Sequence, residues 1–226
     1  MNQSDTMGWE EYEVGEVCSE VVDCINKTAP TVDEVTPYKM IRTPNVRDGY
    51  VRLDDVRYVT EEIYEEWTRR ATPRPGDVIL TREAPLGEVG MLRSSERTFL
   101  GQRLVLYRPD PEILDNRFLL YSLMTHKVQG QIEGFGSGAT VPHMRVPDCE
   151  RIKIRVPPLE TQKKIGAILA NYDELIENNR ARIRRLEDMC EHLYQKWFVN
   201  YNFPGHEDVE MVDSRAGHVP ASSVFS

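Results

Sequence analysis

The chain has 226 residues, of which 40% are hydrophobic and 29% charged, an ordinary composition for a soluble protein able to bury a core in one or two domains. It carries 28 Lys and Arg against 37 Asp and Glu, a formal charge of −9, which excludes wholesale electrostatic wrapping of nucleic acid but leaves room for a local basic face. No apolar run reaches the roughly 18 residues of a membrane span, and the acidic start, Met1 to Val14, has no signal-peptide core.

In chain order, Tyr38 to Thr43 reads as a strand. Thr60 is placed to cap a short helix through Arg70, with Glu65/Arg69 and Glu66/Arg70 at i,i+4 spacing. Pro73-Arg74-Pro75-Gly76 is a turn. Val78–Thr81, Val89–Leu92 and Arg103–Tyr107 read as strands joined by Gly-containing turns. Asp115 is placed to cap a helix running to about Gln131, with Leu119, Leu120, Leu123 and Met124 on its buried face; Gly134 to Pro142 follows as a loop. Arg151 to Val156 alternates, with Ile152, Ile154 and Val156 on one side. This is an α+β pattern: a globular domain over residues 1–156 with a mostly antiparallel sheet.

After Pro157-Pro158 the pattern becomes one long helix, assigned to residues 157–203, with no Pro before Pro204. Ile165, Ile168, Tyr172, Leu175, Asn179, Ile183, Leu186, Cys190, Leu193 and Trp197 follow a heptad seam with one slip between Asn179 and Ile183. Such a helix is too long to pack wholly on a domain of this size, so a partner helix is expected, the alternative being a helix folded back on its own domain. Asn179 is the kind of seam residue that fixes register. The tail from 204 to 226 is polar and reads as loosely ordered.

The usual catalytic equipment is missing. No Gly precedes a Lys, so there is no P-loop; no Lys has an acid two positions before it; there is no H-E-x-x-H. Pro157-Pro158 lies between Val156 and Leu159, outside any N/D-P-P-aromatic methyltransferase motif, and Gly134, Gly136 and Gly138 do not form G-x-G-x-x-G. The four cysteines, at 18, 24, 149 and 190, make no C-x-x-C pair. They read as free thiols in a reducing cytoplasm, with no metal site and no cofactor.

Positive charge is carried by Arg rather than Lys, 21 against 7, and twelve Arg fall between Arg42 and Arg108 with eleven acids among them. Guanidinium groups read guanine edges and clamp phosphates, although the even acid count also suits surface ion pairs. Four segments offer polar groups from loops near strands: Thr43 to Gly49, Thr81 to Gly87, Gly101-Gln102-Arg103 and Ser137 to His143. Taken singly each reads as a turn. Together they nominate Arg42, Asn45, Arg47, Arg82, Gln102 and Arg103 for groove contacts, with Thr140 and His143 near a phosphate.

These motifs carry a family resemblance: Gly8-Trp9-Glu10-Glu11-Tyr12, Ile41-Arg42-Thr43 to Gly49, and Gly76 to Gly87, then Leu100 to Arg103, Gly138 to His143 and Val156 to Gln162. Tyr194 to Tyr201 with Phe203-Pro204-Gly205 closes the series. In that order, over about residues 8–214, the chain resembles one half of the DNA-specificity subunit of a Type I restriction-modification enzyme. The resemblance implies a non-catalytic subunit that reads half of a split duplex-DNA site. It implies helical spacers that pack antiparallel and dock the methyltransferase subunits. Those partners methylate adenine with S-adenosylmethionine and, with a motor subunit, cleave unmodified DNA. It implies a cytoplasmic, nucleoid-associated prokaryotic protein. This chain departs from the pattern in having one recognition domain and one helix, where a full-length subunit begins its second domain near Glu210 to Ser214. A homodimer through Ile165, Ile168, Tyr172, Leu175, Asn179, Ile183, Leu186, Leu193 and Trp197 is therefore expected. The rival expectation is a methyltransferase-binding decoy that no longer reads DNA.

Overall fold

The computed structural model describes residues 8–136, 142–214 and 217–221. In chain order the elements are β1 (Glu10–Glu13), α1 (Val14–Val17), β2 (Cys18–Asp23), β3 (Lys39–Ile41), β4 (Val46–Arg47), β5 (Gly49–Val51), β6 (Arg57–Tyr58) and α2 (Glu61–Trp67). There follow β7 (Val78–Arg82), β8 (Leu86–Met91), β9 (Thr98–Leu100), β10 (Leu104–Pro109), α3 (Asn116–Leu123), α4 (His126–Phe135), α5 (Val146–Glu150) and β11 (Lys153–Val156). The chain ends with α6 (Leu159–Tyr194), β12 (Met211–Ser214) and β13 (Gly217–Pro220). The main sheet runs β2-β10-β7-β8-β5-β4, antiparallel except for the β5/β8 pair. A small β6-β3-β9 sheet and the antiparallel pair β1/β11 complete the strands that precede the long helix.

Strands β7 and β10 organise it. Val78, Leu80, Val105 and Tyr107 point into one cluster with Leu119, Leu120 and Leu123 of α3 and Ile132 of α4. Their neighbours Ile79, Leu104 and Leu106 point to the other side, against Ile41, Val46 and Leu92. Burial on both faces is why these strands read as unbroken apolar runs rather than alternating ones. A third cluster sets Tyr38, Met40, Val59 and Phe99 beneath Tyr64 and Trp67 of α2. Close backbone approach between β5 and β8 requires Gly90: a Cβ there would lie 2.4 Å from the Tyr50 carbonyl oxygen.

Several elements differ from the sequence expectation. The helix expected from Asp115 to Gln131 is two. Asp115 caps α3 by accepting from the Phe118 amide, at 2.9 Å. The chain then breaks at Met124-Thr125, where the Thr125 hydroxyl donates to the Ser122 carbonyl and the Gln129 side chain donates through Nε2 to the Leu123 carbonyl. Gly134 and Phe135 complete α4 instead of starting a loop, and 137–141 lie outside the described residues. Arg69 and Arg70 do not use the i,i+4 acids: Arg69 faces Glu66, and Arg70 pairs with Asp23 of β2. The Tyr38–Thr43 strand is shorter, because Thr43–Asn45 turns into a 3-10 helix. The tail is not loose throughout: Val212 pairs with Val219 across the β12–β13 hairpin, and Val219 is buried.

Contacts divide the chain into two compact units, Met1–Ala170 and Asn171–Ser226. The first turns of α6 belong to the first unit. There the buried Gln162 donates to the Ile113 and Pro157 carbonyls and accepts from the Asp115 amide, so it ties α6 to the cap of α3. Gly166 lets the two helices close: a Cβ there would meet that of Arg117 at 2.9 Å. Helix α6 has 36 residues and continues as a π turn over Gln195–Val199; at 1.5 Å per residue the α-helix is about 54 Å long. No helix among the described residues is long and apolar enough to cross a membrane. All four thiols are free; burial pushes those of Cys18 and Cys149 up to about 12, Cys24 is buried, and Cys190 is exposed on α6.

At the lower end of β10, Arg108 grips Asp77 with two hydrogen bonds of 2.9 and 2.7 Å, pairs with Glu20 of β2 and donates to the Thr72 carbonyl. The Asp77 bond raises the Arg108 pKa further. Asp77 is 3% exposed in its side chain and Arg108 13%, so breaking the pair strands a desolvated charge. Asp77→Asn is expected to cost about 3 kcal/mol, and Glu20→Gln, at the wetter end, about 1 kcal/mol, measured by urea unfolding. Equal losses would mean the network is not anchored at Asp77.

Candidate nucleic-acid interface

The opposite end of β7 and β10 gathers loop residues from three distant parts of the chain. The Arg82 amide donates to the Arg103 carbonyl at 2.8 Å, and the Met144 amide donates to the Arg82 carbonyl at 3.0 Å. Glu83 and His143 form an isolated antiparallel bridge. These backbone bonds place the Glu83 carboxylate 3.6 Å from Nε of Arg103 and 3.3 Å from Nδ1 of His143. Arg103 adopts a left-handed φ of 70°, and Ala84 and Asp48, beside Glu83 and Arg47, have φ of 49° and 52°. Three of the four non-glycine residues with positive φ among the described residues thus adjoin candidate site residues, where strain of about 1 kcal/mol or more apiece must be held by the surrounding structure.

The nominated side chains do not all behave alike. Arg103 and His143 are half exposed, and Arg47 is 65% exposed with its nearest acid, Glu88, at 3.9 Å. Gln102 is exposed and accepts from the Thr28 hydroxyl. Arg82 turns inward instead: its guanidinium donates to the Met144 carbonyl at 3.0 Å, and its Nε is buried without a partner. Its charge opposes the effect of burial on the Cys149 thiol. Asn45 is buried, and its amide is committed to the loop, accepting from the Arg42 amide at 2.8 Å and donating to the Asp55 carbonyl at 2.7 Å. Arg42 closes over the same Asp55, at 3.1 Å to its carbonyl and 3.3 Å to its carboxylate. Thr140 lies outside the described residues.

Sequence reasoning passed over Arg52 and Arg93. Both guanidiniums lie over the Tyr50 ring, at 5.2 and 4.0 Å from its centre, and Arg93 also donates to the Gly49 carbonyl. Tyr50 lies on β5, Arg52 just after it and Arg93 just after β8, and the β5/β8 pairing brings Arg93 to the other two. No linear spacing signals the approach of Arg93. On α6, Ile168, Tyr172, Leu175, Ile183 and Leu186 are each more than half exposed. Leu193 is 38% exposed, and Trp197 is intermediate. Ile165 packs against the main core.

A family model described as the Type I restriction modification DNA specificity domain matches residues 7–188. The chain belongs to that family. This specificity-family chain is 26% identical over 164 residues to the MjaIX specificity subunit of Methanocaldococcus jannaschii, a stretch covering 73% of this chain and 37% of the relative. It is 19% identical over 179 residues to the EcoBI specificity subunit of Escherichia coli, covering 77% and 38%. Among solved structures, the S subunit from M. genitalium matches with a TM-score of 0.61 at 18% identity, over 88% of this chain and 48% of that one. The HsdS subunit from Thermoanaerobacter tengcongensis gives 0.57 at 18% identity, over 84% and 48%. The fold of a recognition domain followed by a long helix is thus that of the specificity family. The chain spans little more than a third of the length of these curated relatives and about half that of the solved chains.

Stability should separate the two kinds of nominated residue. Asn45→Ala takes the acceptor from the Arg42 amide and one of two donors from the Asp55 carbonyl, and is expected to cost about 1–2 kcal/mol. Arg47→Ala, with one long contact on an exposed side chain, should cost under about 0.5 kcal/mol. Chemical denaturation of both variants checks this, and equal losses would contradict the assignment of Asn45 to the loop.

Proposed function

We propose that this chain is a non-catalytic DNA sequence-specificity subunit of a Type I restriction-modification system. Its recognition domain reads half of a bipartite duplex target. The observation that supports this best is the convergence of Arg103 and His143 at one end of β7 and β10, with Gln102 exposed beside Arg103 and Arg47 exposed at the end of the edge strand β4, in a chain of the DNA-specificity family. Exposed Arg and Gln have the forked donors that distinguish guanine and adenine, while the sheet behind them keeps them still. Arg42, Asn45 and Arg82 then support the loops, and Thr140 with His143 lies near a phosphate.

The long helix serves as spacer and docking element. Its exposed apolar seam suits a second copy, paired antiparallel about a twofold axis near Asn179 or Ile183, and the methyltransferase subunit that the reading requires. That subunit, not this chain, uses S-adenosylmethionine, and a motor subunit completes the nuclease. The setting is the prokaryotic cytoplasm, with no membrane involved. A second reading, a decoy that binds the methyltransferase without reading DNA, draws support from the acids already beside Arg47 and Arg103.

A symmetric dimer presents one surface to both half-sites, so the target should be an inverted repeat with half-site centres about one helical turn apart. Methylation mapping in cells that express the chain with its methyltransferase should return such a motif, and an absence of any methylated motif would favour the decoy. Light scattering at micromolar concentration should show a dimer, and Leu186→Glu, which puts a charge in the seam, should dissociate it. A wild-type monomer would remove the symmetric arrangement.

A further inference from the structure

Glu83 occupies an unusual position at the candidate interface. Its carboxylate sits between Arg103 and His143, at 3.6 and 3.3 Å, and is 24% exposed where those two side chains are 50% and 42% exposed. The Arg82–Arg103 and Met144–Arg82 hydrogen bonds and the Glu83–His143 bridge hold the backbone of all three segments together, so the three side chains start from neighbouring anchored positions. One oxygen facing a guanidinium and an imidazole is the arrangement a phosphate oxygen would take. The chain also bears a left-handed conformation at Arg103, which glycine would adopt without strain, and so keeps a side chain at that point.

We infer that Glu83 is a built-in competitor for the DNA phosphate at the locus formed by Arg103 and His143, and that it thereby sets discrimination between target and random duplex. The inference rests on the DNA-reading function proposed above. Binding to random sequence draws almost wholly on phosphate contacts. An internal carboxylate that already stands against the Arg103 guanidinium removes part of that attraction from every sequence. Base contacts at the target supply what is needed to move it aside. Glu88, 3.9 Å from Arg47, repeats the arrangement more loosely one strand away.

The test is fluorescence anisotropy of the full chain on a labelled random-sequence duplex at several salt concentrations. Wild type, Glu83→Gln, Glu83→Asp and Glu83→Gln/Arg103→Ala are compared, each with its melting temperature. Glu83→Gln should bind random duplex about two- to fivefold tighter, the size of a released surface ion pair. Its salt dependence should steepen by about one unit of slope. Glu83→Asp, which keeps the charge but withdraws it, should move in the same direction by less, and the double variant should lose the gain. On the target found by methylation mapping the gain should be smaller, so discrimination falls. Unchanged affinity and slope in both single variants would overturn the inference, as would a gain that persists without Arg103, because the effect would then be one of net charge alone. If wild type binds duplex and only these outcomes fail, the DNA reading stands without this refinement. If wild type binds no duplex, alone or with its methyltransferase, both fall.

Discussion

Everything at the candidate interface depends on the burial of β7 and β10 from both sides. With Val78, Leu80, Val105 and Tyr107 under the helices and Ile79, Leu104 and Leu106 on the opposite cluster, no side chain along these strands is available to a ligand. Polar chemistry is therefore confined to the strand ends. At one end Arg108 and Asp77 close the structure; at the other Glu83, Arg103 and His143 meet. A sheet used this way works as a rigid mount rather than a binding face. Its stiffness lets adjoining loops hold left-handed residues at Asp48, Ala84 and Arg103.

Charge is arranged in the same spirit. The formal −9 does not sit apart from the guanidiniums. Acids stand beside individual arginines: Glu83 beside Arg103, Glu88 beside Arg47, Asp55 beside Arg42, Asp23 beside Arg70. For most of these the ion-pair reading of the even acid count holds, and what separates one arginine from another is its exposure and the direction of its fork.

Much of the fold was legible in the sequence because its strongest elements are locally self-consistent. The apolar runs of β7 and β10, the alternation in β11, the Asp115 cap and the proline-free stretch of α6 each signal themselves within a few residues. What escaped depends on distant partners. Strand β1 is mostly polar and is recognisable only beside β11. The break at Thr125 follows from the Thr125 hydroxyl and the Gln129 side chain satisfying carbonyls that a continuous helix would have used. In the candidate site, spacing carries no information on the orientation of side chains, and it reads Arg47 and Arg82 as loop residues where they end β4 and β7. Asn45 and Arg82 look like ligand-reading residues in sequence, yet Asn45 spends its side-chain amide on its own loop and Arg82 turns inward to donate to the Met144 carbonyl.

The distribution of thiols has a practical side. A sulfhydryl pushed up to about 12, as in Cys18 and Cys149, is thiolate in only about one molecule in ten thousand at pH 8, and the thiolate is the species that reacts. Cys24 is shielded by the core, which leaves Cys190, open on the long helix, as the position an alkylating dye would reach first. The folded chain thus comes with a single natural attachment point on the very seam whose pairing is in question. A fluorophore placed there would report association without any engineered residue.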